Sequence, residues 1–359
     1  MAGPVGVVGA GTMGLGIAEV FLGVGDVLLT DARAAAREGA RGQVAEALGR
    51  RVAAGRLSEA ERDARLGRLR VVEGPEGMGG AEIVVEAVVE DLAVKRGLLR
   101  ALERTGAVLA TNTSSLSVAE LAEGLARPSR LLGLHFFNPA PAMRLVELVR
   151  HGGTDPGALA LARGLAEAAG KVVVECPDSP GFVVNRVARP FYGEALALLE
   201  EGRGAAEVDG AMLARGYRMG PFALIDLVGA DVHLLATRGV WERMGRHPRY
   251  RVFPALERQV AAGDLGRKAG RGFLWPEAPV AAPDDAVAGR IEALVVNEAG
   301  WLLAEGGVGE ADVDRAMVLG MGWPRGPFAI LAERGAPAIR AALAAAGAGG
   351  RYEPAPALR

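Results

Sequence analysis

The sequence predicts an α/β protein with a doubly wound, largely parallel sheet, followed by an all-α C-terminal part. Three observations carry that prediction. Short aliphatic runs alternate with helical stretches through the first half of the chain, the pattern of strands joined by crossover helices. A glycine-rich turn separates the first run from the first helix. After "PDSPGF" (177–182) the strand-like runs stop, and only amphipathic helical patterns follow.

Taken in order, "VGVVG" (5–9) reads as a short buried strand and Gly14 to Leu22 as the helix after it. "DVLLTD" (26–31) is a second strand, ending at Asp31. A long helical stretch over about 33–69 breaks near "AAGRLSEAER" (53–62). "AEIVVEAV" (81–88) and "AVLATNTS" (107–114) are further strands. In "LHFFNPAPAMRLVELV" (134–149) two apolar runs flank a Pro-rich turn, and antiparallel pairing about Pro141 sets His135 opposite Glu147. "KVVVEC" (171–176) is the last strand of a first domain spanning 1–178.

Helices over 188–202 and 207–216, with another starting in "GPFALIDLVG" (220–229), form a second domain, 179–276. "GRKAGRGFLWP" (266–276) closes it as a structural turn, since it lacks phosphate-loop spacing, and "EAPVAAPDD" (277–285) is a linker. The remainder is an internal repeat, because "EALALLEEGRGAAEVDGAMLARGYRMGPFALI" (194–225) recurs as "EAGWLLAEGGVGEADVDRAMVLGMGWPRGPFAIL" (298–331). That spacing is too long for a solenoid unit. A duplicated helical domain over 283–345 is expected, structural in role: Asn185 of the first copy aligns with Gly289, which has no side chain to offer.

Composition narrows the function. A net charge of −2 argues against nucleic acid as the main partner, which usually demands a basic excess. One cysteine, Cys176, excludes an internal disulfide and has packing as its default role, and four scattered histidines show no zinc spacing. No metal is expected. The apolar run 4–25 approaches membrane-spanning length, but no basic segment precedes it, and glycines and Glu19 interrupt it. A cytoplasmic protein with no membrane partner follows as the expectation.

The turn "VGAGTMGLG" holds Gly9, Gly11 and Gly14 in the G-x-G-x-x-G spacing of a dinucleotide-binding Rossmann unit. The first glycine allows the tight turn, the second admits a pyrophosphate, and the third lets helix and strand pack closely. Thr12 and Met13 open the helix whose N-terminus would face the anion. Asp31 stands where an acid binds the adenosine ribose hydroxyls and repels a 2′-phosphate, favouring NAD over NADP.

His135, Glu147, "TNTSSLS" (111–117) and Asn185 form the candidate reacting group. Three of the chain's six serines fall in that short segment, with Asn112, at the end of a predicted strand, where ligands gather in open α/β sheets. Hydride transfer from an alcohol needs a base for the hydroxyl proton, and histidine suits that role near neutral pH. A facing carboxylate would fix its tautomer and stabilise the imidazolium. Singly, a core histidine and an edge-strand charge are the plainer readings; under a dinucleotide fold the pair reads as functional.

At this point the chain resembles the 3-hydroxyacyl-CoA dehydrogenases. "GAGTMGLGIA", "VVEAVVEDLAVK", "TNTSSLS", "GLHFFNPAPAMRLVE", "DSPGFVVNR", "GPFALIDLVG" and "GRKAGRGF" look like that family's motifs in the family's order, almost continuously over 5–275. The resemblance implies His135 as catalytic base, Glu147 as its partner, Ser114 bonding the reacting oxygen and Asn185 reaching in from the helical domain. It implies Glu90 and Lys95 near the nicotinamide ribose and the cleft, Asn112 among the NAD-binding residues, and an acyl-CoA substrate. It also implies a homodimer through the helical domain, which a second copy in one chain could imitate. The helical hairpin that contacts CoA in the family corresponds to Arg33–Leu57, with six arginines against two glutamates, a charge that attracts phosphates. An Arg-rich solvated face is the competing reading there. A dehydrogenase of a free hydroxy acid or sugar acid, and a silent protein that kept the NAD fold, remain the alternatives.

Overall fold

The apolar run at the start of the chain divides into strand β1 (Val5–Val8) and helix α1 (Thr12–Leu22). No helix among the described residues is long and apolar enough to cross a membrane. The computed structural model describes residues 3–359, in two units, one ending at Ser179 and one spanning Pro180–Arg359.

The first unit continues through β2 (Val27–Thr30), α2 (Ala34–Ala53), α3 (Glu59–Gly67), β3 (Leu69–Val71) and β4 (Ile83–Glu86). Then come α4 (Leu92–Leu102), β5 (Val108–Thr111), α5 (Val118–Ala122), β6 (Leu131–Phe136), β7 (Leu145–Arg150), α6 (Pro156–Ala168) and β8 (Val172–Pro177). The eight strands form one sheet in the order β3-β2-β1-β4-β5-β6-β7-β8. All neighbours are parallel except β6 and β7. β1, β2, β4 and β5 are buried throughout, as in a sheet covered by helices on both faces.

The expected helical stretch over 33–69 is corrected at its end. It breaks where Gly55 takes a positive φ and Ser58 starts α3 with a capping box to Glu61. Leu69–Val71 is then an edge strand of three residues with only Leu69 buried, too short to show a period of two in the sequence.

The second unit is helical: α7 (Val184–Val187), α8 (Arg189–Glu200), α9 (Ala205–Ala214), α10 (Pro221–Val228), α11 (Ala230–Arg243) and α12 (Pro254–Ala261), then α13 (Asp285–Glu305), α14 (Glu310–Met321), α15 (Pro327–Arg334) and α16 (Ala336–Ala346). Equivalent residues do equivalent work in the two copies. Asp209 accepts the first N–H groups of α10, from Phe222 and Ala223, and Asp314 accepts those of α15, from Phe328 and Ala329. The glycine before each helix sits on that aspartate: a Cβ on Gly220 or Gly326 would lie 2.3 Å from its carboxyl carbon.

The copies also exchange ion pairs. Arg186 bonds Glu298 at 2.8 Å and reaches Glu305, while Arg290 bonds Glu194 at 2.6 Å and reaches Glu201. Each arginine therefore meets the other copy's acids, the reciprocity of a two-fold contact. The repeat does not stop at 345. "RYRVFPALER" (249–258) recurs as "RYEPAPALR" (351–359): Arg249 and Tyr250 bond Glu298, and Arg351 and Tyr352 bond Glu194. Ala355 and Leu358 join Leu294, Ile330, Ile339 and Leu343 in a core of the second copy.

Candidate active site

The hairpin forms as its pattern predicts. In the β6–β7 register His135 faces Glu147, and Nδ1 of the imidazole lies 2.7 Å from Oε2 of the carboxylate. Both strands are buried almost throughout, with His135 5% exposed and Glu147 wholly buried. A carboxylate held this way must accept from Nδ1–H, which leaves Nε2 as the basic nitrogen. The Phe137 ring packs on the imidazole with centroids 4.5 Å apart. Lys171, just before β8, donates to the carbonyls of Ala140 and Met143 and so ties down the hairpin turn. Burial and the nearby Arg51 charge, against Glu19, push Lys171 down to about 8.

Beyond the end of β5 the chain is held by carboxylates. Glu90 accepts from the Thr113 hydroxyl at 2.7 Å, from the N–H groups of Ser114 and Ser115 at 3.0 and 2.9 Å, and from the Ser115 hydroxyl at 2.8 Å. Burial alone would raise the Glu90 carboxyl; the Lys95 charge and these hydrogen bonds outweigh it and hold the group below the usual range. Ser114 itself stays exposed. Asn112 spends its side-chain oxygen on the Phe136 N–H at 2.8 Å, splinting this loop to the strand that carries His135.

Lys95, expected near the nicotinamide ribose and the cleft, is paired with two carboxylates. It is 1% exposed and lies between Glu86, at 2.7 Å, and Glu90, at 3.3 Å. Its work is internal, holding Glu90. Glu86, fully buried at the end of β4, also accepts from the Thr111 hydroxyl and the Val88 N–H. The sequence reading missed it, although "VVEAVVE" places it four residues before Glu90. Asn185 lies on α7 in the second unit, half-buried, its carbonyl accepting from Arg189.

The glycine turn is shaped as predicted. Gly9 has φ of 108°, and a Cβ there would lie 2.5 Å from the Ala87 carbonyl oxygen; one on Gly14 would lie 1.7 Å from that of Gly9. A Cβ on Gly11 would meet nothing within 4 Å, so the space above the helix N-terminus is open to an anion. Thr12 is exposed at that terminus, whereas Met13 leans on the core. A cavity of about 540 Å³ runs beside Gly9, Gly11, Thr30, Asp31, Pro75 and Leu98. The Thr30 hydroxyl on its wall is buried with no partner, and Val89 and Val94 present apolar surface, 66% and 49% exposed. Glycine cradle, carboxylate and apolar wall suit a dinucleotide. Gly9, Gly11 and Gly14 would admit its pyrophosphate, Asp31 would hold the ribose, and it would supply the hydride acceptor. Among the described residues no group of three or more His, Cys, Asp or Glu is placed to hold a metal.

Such a fold, with a buried imidazole–carboxylate pair on the same unit, defines a dehydrogenase of the dinucleotide-binding class. The family follows from comparison. Residues 4–179 match the NAD-binding domain of 3-hydroxyacyl-CoA dehydrogenases, and residues 181–275 and 287–359 each fall within the match to that family's C-terminal domain. The chain belongs to the 3-hydroxyacyl-CoA dehydrogenase family and is an NAD-dependent oxidoreductase. A 3-hydroxybutyryl-CoA dehydrogenase of Mycobacterium tuberculosis is 43% identical over 277 residues, covering 75% of this chain and 96% of that one. A 3-hydroxyadipyl-CoA dehydrogenase of Escherichia coli is 41% identical over 76% of this chain and 58% of its own length. A crystal structure of 3-hydroxybutyryl-CoA dehydrogenase from E. coli K12 superposes over 100% of this chain and 98% of that one, with a TM-score of 0.92 and 31% identity. The M. tuberculosis relative is thus almost wholly accounted for by three-quarters of this chain, whereas the E. coli structure matches the second helical copy as well.

Proposed function

We propose that the chain oxidises the 3-hydroxyl of a (S)-3-hydroxyacyl-CoA to the 3-ketoacyl-CoA with NAD. The observation that carries the reading is the buried 2.7 Å contact of His135 with Glu147. His135 Nε2 takes the hydroxyl proton as the C3 hydride leaves, and Glu147 stabilises the resulting imidazolium. Ser114 bonds the reacting oxygen. Glu90, held by Lys95, positions the Ser114 loop. The charge expected to draw the CoA phosphates is smaller than composition implies, because Arg33, Arg37 and Arg51 pair with Asp31, Glu73 and Glu19; Arg41, Arg50 and Arg56 stay exposed.

The second helical copy supports the first. Its reciprocal ion pairs with α7 and α8 imitate, within one chain, the two-fold contact that the family resemblance implies between subunits, in a chain that works in the cytoplasm. Catalysis is tested by following NADH with acetoacetyl-CoA and with free acetoacetate. We expect rapid oxidation of NADH with the thioester and little with the free acid; activity on the free acid alone would move the reading to a hydroxy-acid dehydrogenase, and none on either would mark a silent fold.

A further inference from the structure

The carboxylate that closes β2 is less open than its position suggests. Asp31 Oδ2 accepts from the Ala10 N–H at 2.8 Å. Oδ1 accepts from the Arg33 N–H at 2.9 Å and from Arg33 Nε at 3.1 Å, and Arg33 Nη2 stands 3.5 Å from Oδ2. A carboxylate has about four lone-pair sites, two on each oxygen. Both oxygens are therefore occupied, Oδ2 in part by the long Arg33 Nη2 contact, while an adenosine ribose presents two hydroxyls. The two backbone donors are fixed by the turn and the strand end. The guanidinium is what can leave: the Arg33 side chain is 73% exposed, and Asp31 is its only hydrogen-bond or ion-pair partner among the described residues.

We infer that Arg33 is a displaceable counter-ion that sets cofactor discrimination: the ribose takes its place on Asp31, and the released guanidinium then stands beside the ribose 2′ position, able to pair with a 2′-phosphate. The inference rests on the reading of the 540 Å³ cavity as the dinucleotide site. Asp31 alone would set a full negative charge against that phosphate. With Arg33 beside it the local charge cancels, and Arg37, on the Asp31 carbonyl at 2.8 Å, is balanced by Glu73 at 3.4 Å. A guanidinium also matches phosphate geometry with parallel donors. The acid at the end of β2 therefore excludes NADPH only in part, and the exclusion depends on where Arg33 points.

The test is binding, independent of turnover: calorimetric titration of the full chain with 5′-AMP, 2′,5′-ADP, NADH and NADPH. Wild type is expected to bind all four, NADH more tightly than NADPH. Arg33→Ala should weaken 2′,5′-ADP and NADPH by about tenfold or more, with 5′-AMP and NADH within about twofold of wild type, and Arg33→Lys should fall between. Asp31→Ser should weaken NADH and leave NADPH the less affected. Equal losses for both ligand pairs in Arg33→Ala would make Arg33 a mere support for Asp31 and overturn the inference, as would no change in either. Wild type binding neither NADH nor 5′-AMP would remove the dinucleotide reading itself. NADH binding without any NADPH binding would remove only the inference about Arg33.

Discussion

Glu147→Gln isolates the charge of the buried carboxylate while keeping its shape. The side chain has no solvent exposure, and His135 beside it has only 5%, so water cannot replace the lost charge. When His135 takes the substrate proton, the pair becomes imidazolium and carboxylate, with Nδ1 and Oε2 at 2.7 Å. Charge centres about 4 Å apart, at an effective dielectric of about 20, attract by about 4 kcal/mol. At about 1.4 kcal/mol per decade this is about a thousandfold in rate. The carboxamide still offers an oxygen to Nδ1–H, so the ring stays in place and the deficit falls on the transition state. For oxidation of (S)-3-hydroxybutyryl-CoA we expect kcat to fall by about 10³ with KM for that thioester and Kd for NADH within about threefold of wild type. His135→Gln should lose a similar factor, and the double variant little more, since the two act as a unit. Stopped-flow NADH formation, with thermal melts to confirm folding, reads all three. A folded Glu147→Gln enzyme that keeps more than about a tenth of wild-type kcat would show that the carboxylate only packs the hairpin.

Two further perturbations address the scaffold. Lys171 has a folded pKa below that of the unfolded chain, so between about 8 and its ordinary value near 10.5 the unfolded state binds the extra proton and stability rises with pH. Urea midpoints of wild type against Lys171→Met should show that rise in wild type only; parallel profiles would refute it. Truncation after Pro276 removes Glu298 and Glu305 from Arg186, which is wholly buried. The face that α13 and α14 cover on α7 and α8 is then bared, so the shortened chain should dimerise through it or aggregate. A truncated chain that light scattering finds monomeric, and that melts at the full-length temperature, would defeat the in-cis reading.

Local pattern and spacing determined a large part of this protein. The glycine turn was legible because its geometry needs glycine at fixed offsets, and the facing of His135 and Glu147 because pairing about a central Pro turn sets the register and each polar side chain in an apolar hairpin needs the other as its partner. The duplicated helices were legible because one chain contained both copies. Tertiary structure alone decided features whose partners are distant or whose segments are short. Leu69–Val71 becomes a strand only because β2 offers an open edge. Lys95 is buried between Glu86 and Glu90 because α4 packs its first turn back over the end of β4, which spacing along the chain does not show. "RYEPAPALR" pairs with Glu194 through bonds spanning most of the second unit, and its brief likeness to "RYRVFPALER" carries too little periodicity to be read beforehand. Side-chain hydrogen bonds decided whether Asp31 is open to a ligand or already satisfied. Composition and spacing count charges, but only the folded chain shows which of them are already paired.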